Sequence, residues 1–247
     1  MLHSPSFSLS PFSSKAPSSL QSPCHVTDRL RSQPPHGKIA WFGQLLGIKP
    51  RIRMVRSYDE SSPSYLGYVL SLDGTIDHIE RKFPVAIGVA AQTKHQFRAG
   101  DVVSGLGIPV ADPQLETAEL YKSSGFKVDA RETALPPPAC PPWRTIPLAL
   151  EAYRTRGHRR RDAARYVETC TTCTTCTWGC MMVVEIVKDN WKGIVTGVRE
   201  ETFCYGLKSC AFYKAGPKRR APGRGDAMYV EEDLIDEDAT AHRAPEE

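Results

Sequence analysis

No stretch of this chain approaches the roughly 18 consecutive apolar residues that a membrane-spanning helix needs, and its opening lacks the apolar core of a secretory signal. The expectation is therefore a soluble, cytoplasmic protein with no membrane partner. Catalytic signatures are missing as well: there is no nucleophile elbow, phosphate-binding loop or dinucleotide fingerprint. The seven histidines fall nowhere at ligand spacing from one another, and His158, beside an arginine run, reads as solvated. Asp59-Glu60 fits a loop better than an acid/base pair. No residue set nominates an enzyme. Acid is nearly absent from the first part of the chain, where Asp28 stands alone before Arg56, and is crowded near the end from Glu231 to Asp238. The net charge of +4 hides three basic blocks: Lys49 to Arg56, Arg154 to Arg165, and Lys214 to Arg224.

Twenty prolines and eighteen glycines gather in a few stretches, which predicts folded pieces joined by linkers. Residues 1–48 open Ser/Pro-rich and are expected to be disordered, because so few apolar groups cannot offset the entropy of ordering. From 49 to 130 the pattern changes to short alternating runs. Ile52 and Met54 alternate with arginines, Leu66 to Leu72 alternates up to a turn expected at Asp73-Gly74, and Phe83 to Val89 repeats the period of two. Val102-Val103 follows the Gly100-Asp101 turn, and a last run covers Ala118 to Val128. Five short strands in this length favour a small closed barrel, and the segment His95 to Gly105 is similar to the strand-turn-strand entry of OB-type barrels. Gly105-Leu106-Gly107 reads as a turn. A proline-rich spacer occupies 131–145. A basic helix is expected over 146–168, with Gly157 kinking or splitting it.

Cysteine supplies the strongest chemical signal. Cys170, Cys173, Cys176 and Cys180 are followed by Cys204 and Cys210, whereas Cys24 and Cys140 stand apart in surroundings that suggest plain thiols. Without a secretory signal, clustered thiols read as metal ligands before disulfides. Two thiolates separated by two residues can face one ion at roughly 2.3 Å, and soft sulfur selects zinc or iron-sulfur over hard cations. Two β-rich runs, Met181 to Lys188 and Ile194 to Phe203, flank the turn Asp189 to Gly193 and predict a hairpin. Its ends would bring the two cysteine groups together, the logic of a zinc ribbon, in which metal replaces a core that 169–215 is too short to build. The ligand set expected is four of Cys173, Cys176, Cys180, Cys204 and Cys210, binding zinc. The alternatives are an iron-sulfur cluster, whose ferredoxin spacing the first four cysteines match except that Met181 stands where proline would follow, and unliganded or disulfide-bonded thiols.

Arg56-Ser57-Tyr58-Asp59-Glu60 with Tyr65-Leu66-Gly67-Tyr68, Cys173-Thr174-Thr175-Cys176-Thr177-Trp178-Gly179-Cys180, and Phe203-Cys204-Tyr205-Gly206 with Lys208-Ser209-Cys210 resemble an uncharacterised prokaryotic family. The likeness runs from about Arg51 to Glu247. It implies an N-terminal OB-like β-barrel followed by a C-terminal cysteine cluster, and no mechanism. This chain differs in its Ser/Pro-rich beginning and in the additional Thr-Thr-Cys triplet, which leaves Cys170 outside the expected ligand set as a spare.

The fold class expected is mainly β with some α: an OB-like barrel, a basic linker helix, a metal-clamped hairpin, and a basic-then-acidic tail over 216–247. Arg154, Arg156, Arg159, Arg160, Arg161 and Arg165, clustered beside such a barrel, suggest a polyanion partner, since each cation that neutralises a phosphate releases counterions. That partner would be single-stranded nucleic acid, RNA ahead of DNA, with at most one of Tyr65 and Tyr68 open as a stacking platform. A redox accessory role and a protein partner are the alternatives.

Overall fold

A computed structural model describes residues 37–57, 61–131, 146–170, 173, 176, 178–222, 229–231, 237–244 and 246–247. The expectations for the first 36 residues, the proline-rich spacer from 132 onward and the acidic run at 232–236 fall outside them. Strand dominates. Five strands, β1 (Ile39–Arg56), β2 (Ser61–Ile76), β3 (Ile79–Ile87), β4 (Val102–Pro109) and β5 (Leu120–Ala130), close into a ring in the order β1-β2-β3-β5-β4-β1. Helix α1 (Val89–His95) lies between β3 and β4 in the chain. The ring interior is filled by residues such as Trp41, Leu45, Leu70, Phe83, Val85 and Phe97.

β1 begins ten residues before the expected boundary at 48/49, so that boundary is corrected. Burial alternates on odd positions from Trp41 to Gly47 and on even positions from Ile48 to Arg56. A register shift against β2 between Leu45 and Gly47 produces the change of phase. One slipped residue exchanges the two faces of a strand, so no single period of two spans β1. Asp73-Gly74 is not the turn either. The β2–β3 hairpin turns at Asp77-His78, both at positive φ, as a two-residue turn of primed type requires. Gly74 instead lies where β1 crosses closely, since a Cβ there would come within 2.2 Å of the Phe42 carbonyl oxygen. Gly105 is interior to β4, and the space it leaves is taken by the Trp41 ring, 2.6 Å from where its Cβ would be.

The expected hairpin is present as β7 (Cys180–Asp189) and β8 (Ile194–Cys204), preceded by α2 (Leu150–Arg156), β6 (Arg159–Arg161) and the short α3 (Ala163–Arg165). The C-terminal half of β1 pairs in parallel with β7, and β6 pairs with β8, so the hairpin continues the ring's own sheet. A two-stranded pair, β9 (Arg220–Pro222) and β10 (Tyr229–Glu231), follows.

The helix expected over 146–168 is corrected. It ends at Arg156, because Gly157 adopts φ 69° with a Cβ position 2.1 Å from the Ala239 carbonyl oxygen, and the arginines after it form a strand. Pairing with β8 overrides the helical propensity of that run. No helix among the described residues is long and apolar enough to cross a membrane.

Candidate metal centre

β7 begins at Cys180 and β8 ends at Cys204, and the two residues are direct cross-strand partners. A π-helical turn, Tyr166–Cys170, delivers a third sulfur. Asp162 starts that turn by accepting from the Arg165 N–H at 3.2 Å, and Lys49 of β1 donates to the Tyr166 hydroxyl at 3.1 Å. The Cys180 thiol donates to Cys170 Sγ at 3.2 Å and hydrogen-bonds Cys204 as well. Cys170, Cys180, Cys204 and Tyr166 are buried together with Tyr213 against them. Cys176 completes the group, its sulfur accepting from the Gly179 N–H at 3.1 Å. The Tyr205 N–H donates to the Gly179 carbonyl at 3.1 Å and ties that loop to the end of β8.

Gly206 is the hinge of this arrangement. A Cβ there would lie 3.1 Å from Cys176 Sγ and 3.4 Å from Cys204 Sγ, so the sulfurs occupy the space a side chain would fill. Cys173 is close enough to Cys176 to raise its thiol electrostatically, although burial is the larger cause. Cys210 is half-buried on the loop beyond Gly206, where its backbone N–H donates to the Leu207 carbonyl at 3.2 Å. Because Cys180 donates its proton to both neighbours, its own thiol is pushed up, while Cys170 and Cys204 are lowered to about 7 and about 6.

The arginine block lies elsewhere than a phosphate-facing surface. Arg160 and Arg161 are buried in the sheet and Arg156 is nearly so. Arg156 Nε donates to the Tyr205 carbonyl at 2.6 Å, Arg159 Nη2 to the Leu207 carbonyl at 2.8 Å, and Arg161 Nη2 to the Phe212 carbonyl at 2.6 Å. Arg160 Nη1 reaches the Pro217 carbonyl at 3.2 Å. Only Arg154, 5.3 Å from the Tyr65 ring centroid, and Arg165, paired with Glu168 at 3.1 Å, are exposed. Tyr68 is buried in the ring and Tyr65 is half-buried with its hydroxyl 3.1 Å from that of Tyr205, so neither is an open platform. The basic block at the end of β1 is likewise spent internally: Arg51 on Glu116, Arg53 on the Leu115 carbonyl at 3.1 Å, and Arg56 on Glu185 at 3.0 Å.

His158 is not solvated either. It is stacked on Phe203 with ring centroids 3.8 Å apart, and burial, aided by Arg56, Arg160 and Arg243, lowers it to about 3. The unfolded chain protonates this group near its ordinary 6.5, so between pH 6.5 and 3 the unfolded state binds more protons. Its contribution to stability is complete above that window and is lost as pH falls through it. Urea unfolding at pH 7 and pH 5 should differ by about 2 kcal/mol from this group. His158→Phe should flatten that slope; an unchanged slope would contradict the assignment.

No family model, curated protein or solved structure matches this chain. The site is therefore judged on its own donors. Among the described residues no three His, Cys, Asp or Glu side chains already stand in a metal-holding arrangement. Cys170 and Cys180 stand 3.2 Å apart in a thiol hydrogen bond, closer than the roughly 3.8 Å edge of a sulfur tetrahedron with 2.3 Å bonds. The donor chemistry fits a soft ion, and an opening of roughly half an ångström would bring that one pair to a tetrahedral edge. Cys170, Gly206 and Arg243, whose Nη1 donates to the Gly206 carbonyl at 3.0 Å, are participants that spacing did not reveal. Cys170 carried a signal in its triplet. Arg243, distant in sequence, carried none.

Proposed function

We propose that this chain binds one soft divalent ion, zinc ahead of others, through Cys170, Cys176, Cys180 and Cys204, and that the ion clamps the C-terminal lobe onto the ring's sheet. The observation that carries the reading is that Cys180 contacts both Cys170 and Cys204, while Cys176 and Cys204 both flank Gly206, where a Cβ would sit tightly at 3.1 and 3.4 Å from their sulfurs. Cys173 and Cys210 flank the set as exchangeable donors. The 3.2 Å contact of Cys170 and Cys180 favours a single ion over a cubane cluster, in which thiolates on different irons stand further apart. The hairpin already shares a buried core with β1 and α2, built from Ile52, Met54, Tyr153, Met181, Val183 and Phe203, and the ion would add folding free energy to it. Titration of the full chain with zinc, read by competition with a chromophoric chelator, should saturate at one ion per chain; no uptake would sink the proposal.

The ring is read as OB-type, supported by the order β1-β2-β3-β5-β4, by α1 between β3 and β4, and by the parallel β3–β5 contact that closes it. A second reading, an accessory protein binding single-stranded RNA with little sequence preference, is favoured by one surface of that ring. A groove of about 690 Å³ is lined by Lys38, Phe42, Leu106 and Lys127, with Phe42 47 % exposed. An open aromatic between two lysines offers stacking and phosphate contacts together. Phe42→Ala with Lys127→Ala should weaken oligonucleotide binding at low salt, whereas Arg154→Ala should not; no binding by the unaltered chain would end this reading.

A further inference from the structure

Four guanidinium groups meet around the loop that follows Cys204. Three successive carbonyls are each held by a different arginine: Tyr205 by Arg156, Gly206 by Arg243 and Leu207 by Arg159. Arg161, 1 % exposed, holds the Phe212 carbonyl and also reaches the Thr169 hydroxyl at 2.7 Å, next to Cys170. One arginine in such a position would be a backbone clamp. Three of them repel one another: Arg159 lowers Arg156, and Arg156 and Arg159 lower Arg243, in both cases behind the larger effect of burial.

The hydrogen bonds of these groups are also incomplete. Among the described residues, Nη2 of Arg156, Nε of Arg159, Nε and Nη1 of Arg161, and Nε and Nη2 of Arg243 are buried without an acceptor. Buried N–H groups of a cation are costly unless negative charge lies nearby. Glu247 faces Arg156 and Arg243 but is exposed, where solvent screens it. The remaining anion-forming groups near the four arginines are the cysteines: Cys204 interacts electrostatically with all four, Cys176 with Arg156, and Cys170 with Arg161. With neutral thiols, this charge would be met among the described residues mainly by Glu247 and by the Trp178 and Tyr213 rings, 4.0 Å from Arg156 and 3.8 Å from Arg159. A divalent ion on four thiolates, formed with release of the four thiol protons to solvent, carries two net negative charges and answers it.

We propose that Arg156, Arg159, Arg161 and Arg243 form a cationic collar that fixes the loop after Cys204 by its carbonyls and supplies the counter-charge for an all-thiolate, net-negative metal centre. The proposal rests on the metal reading above and adds to it the ligand class and charge of the site. It excludes a mixed centre in which a histidine or water takes the fourth position, since each such exchange removes one negative charge from the region the collar encloses.

Two measurements on the full chain test it. X-ray absorption fine structure of the zinc-loaded protein should show four sulfurs at about 2.3 Å and no nitrogen or oxygen in the first shell. Cobalt titration of Arg243→Gln and Arg161→Gln should give affinities weaker by about 10- to 100-fold, the range expected when groups behind metal ligands are lost. Arg243→Lys, which keeps the charge but not the fork, should recover part of that loss, and a role confined to folding would leave the lysine and glutamine variants alike. A mixed first shell, or glutamine variants that bind cobalt as the unaltered chain does, overturns the collar and leaves the metal reading standing. An unaltered chain that takes up neither zinc nor cobalt overturns both.

Discussion

Glu185→Gln is expected to lower the free energy of unfolding by about 3–5 kcal/mol, the range found when one member of a buried ion pair is removed. Glu185 is fully buried on β7 and accepts from Arg56 Nε of β1 at 3.0 Å and from Arg199 Nε of β8 at 2.6 Å. Arg56 is itself fully buried and also donates to Ser61 at 2.9 Å. The glutamine would remove the carboxylate charge that Arg56 and Arg199 share, at the place where the ring's sheet passes into the hairpin. The cost comes from a buried charge losing this carboxylate more than from any net attraction in the pair, because desolvation of the two ions offsets most of their mutual attraction. Arg56→Met combined with Glu185→Leu should therefore be far less harmful than either single removal. Urea unfolding of the three variants measures this. A single variant within about 1 kcal/mol of the unaltered chain would contradict the account of how ring and hairpin are joined.

Loss of bound metal is expected from Cys180→Ser and from Cys204→Ser, with affinity falling more than about 100-fold, beyond the loss that follows removal of groups behind the ligands. Cys180 is the middle sulfur, in contact with both Cys170 and Cys204, and Cys204 is the one the arginines surround. Cys170→Ser should have an effect of the same order, since its sulfur is buried in the same cluster. Cys210→Ser should change affinity little. The contrast between Cys170 and Cys210 is informative because cysteine spacing alone favours the opposite choice. If Cys210→Ser abolishes binding while Cys170→Ser does not, the sulfurs rearrange on metal uptake and the geometry described here is not that of the filled site.

The closed five-stranded ring was legible from alternation in Leu66 to Leu72 and Phe83 to Val89, and the hairpin from its two β-rich runs. The two ring runs keep one phase over the residues that signalled them, Tyr68, Leu70 and Leu72 and then Phe83, Val85 and Ile87, before Val89 opens α1. β1 does not, and its first half stayed hidden behind the slip near Gly47. The cysteines were legible as a cluster because chemistry is carried by residue type. Which of them meet was not, since Cys170 is placed by a π turn that no spacing encodes. Arginine misled most. Clustered in sequence, Arg156, Arg159, Arg160 and Arg161 look like a solvated cationic surface, yet the end of α2 and the pairing of β6 with β8 turn them toward backbone carbonyls. A long cationic side chain can serve either environment, and only the tertiary partner decides.

The most direct test of the central claim is elemental analysis, with an absorption spectrum, of the full chain purified anaerobically without added metal. One zinc per chain in a colourless solution is the result expected. Iron with sulfide and a brown colour would replace the single ion by a cluster, and a chain carrying neither metal, its cysteines all reactive toward a thiol reagent, would contradict the proposal outright.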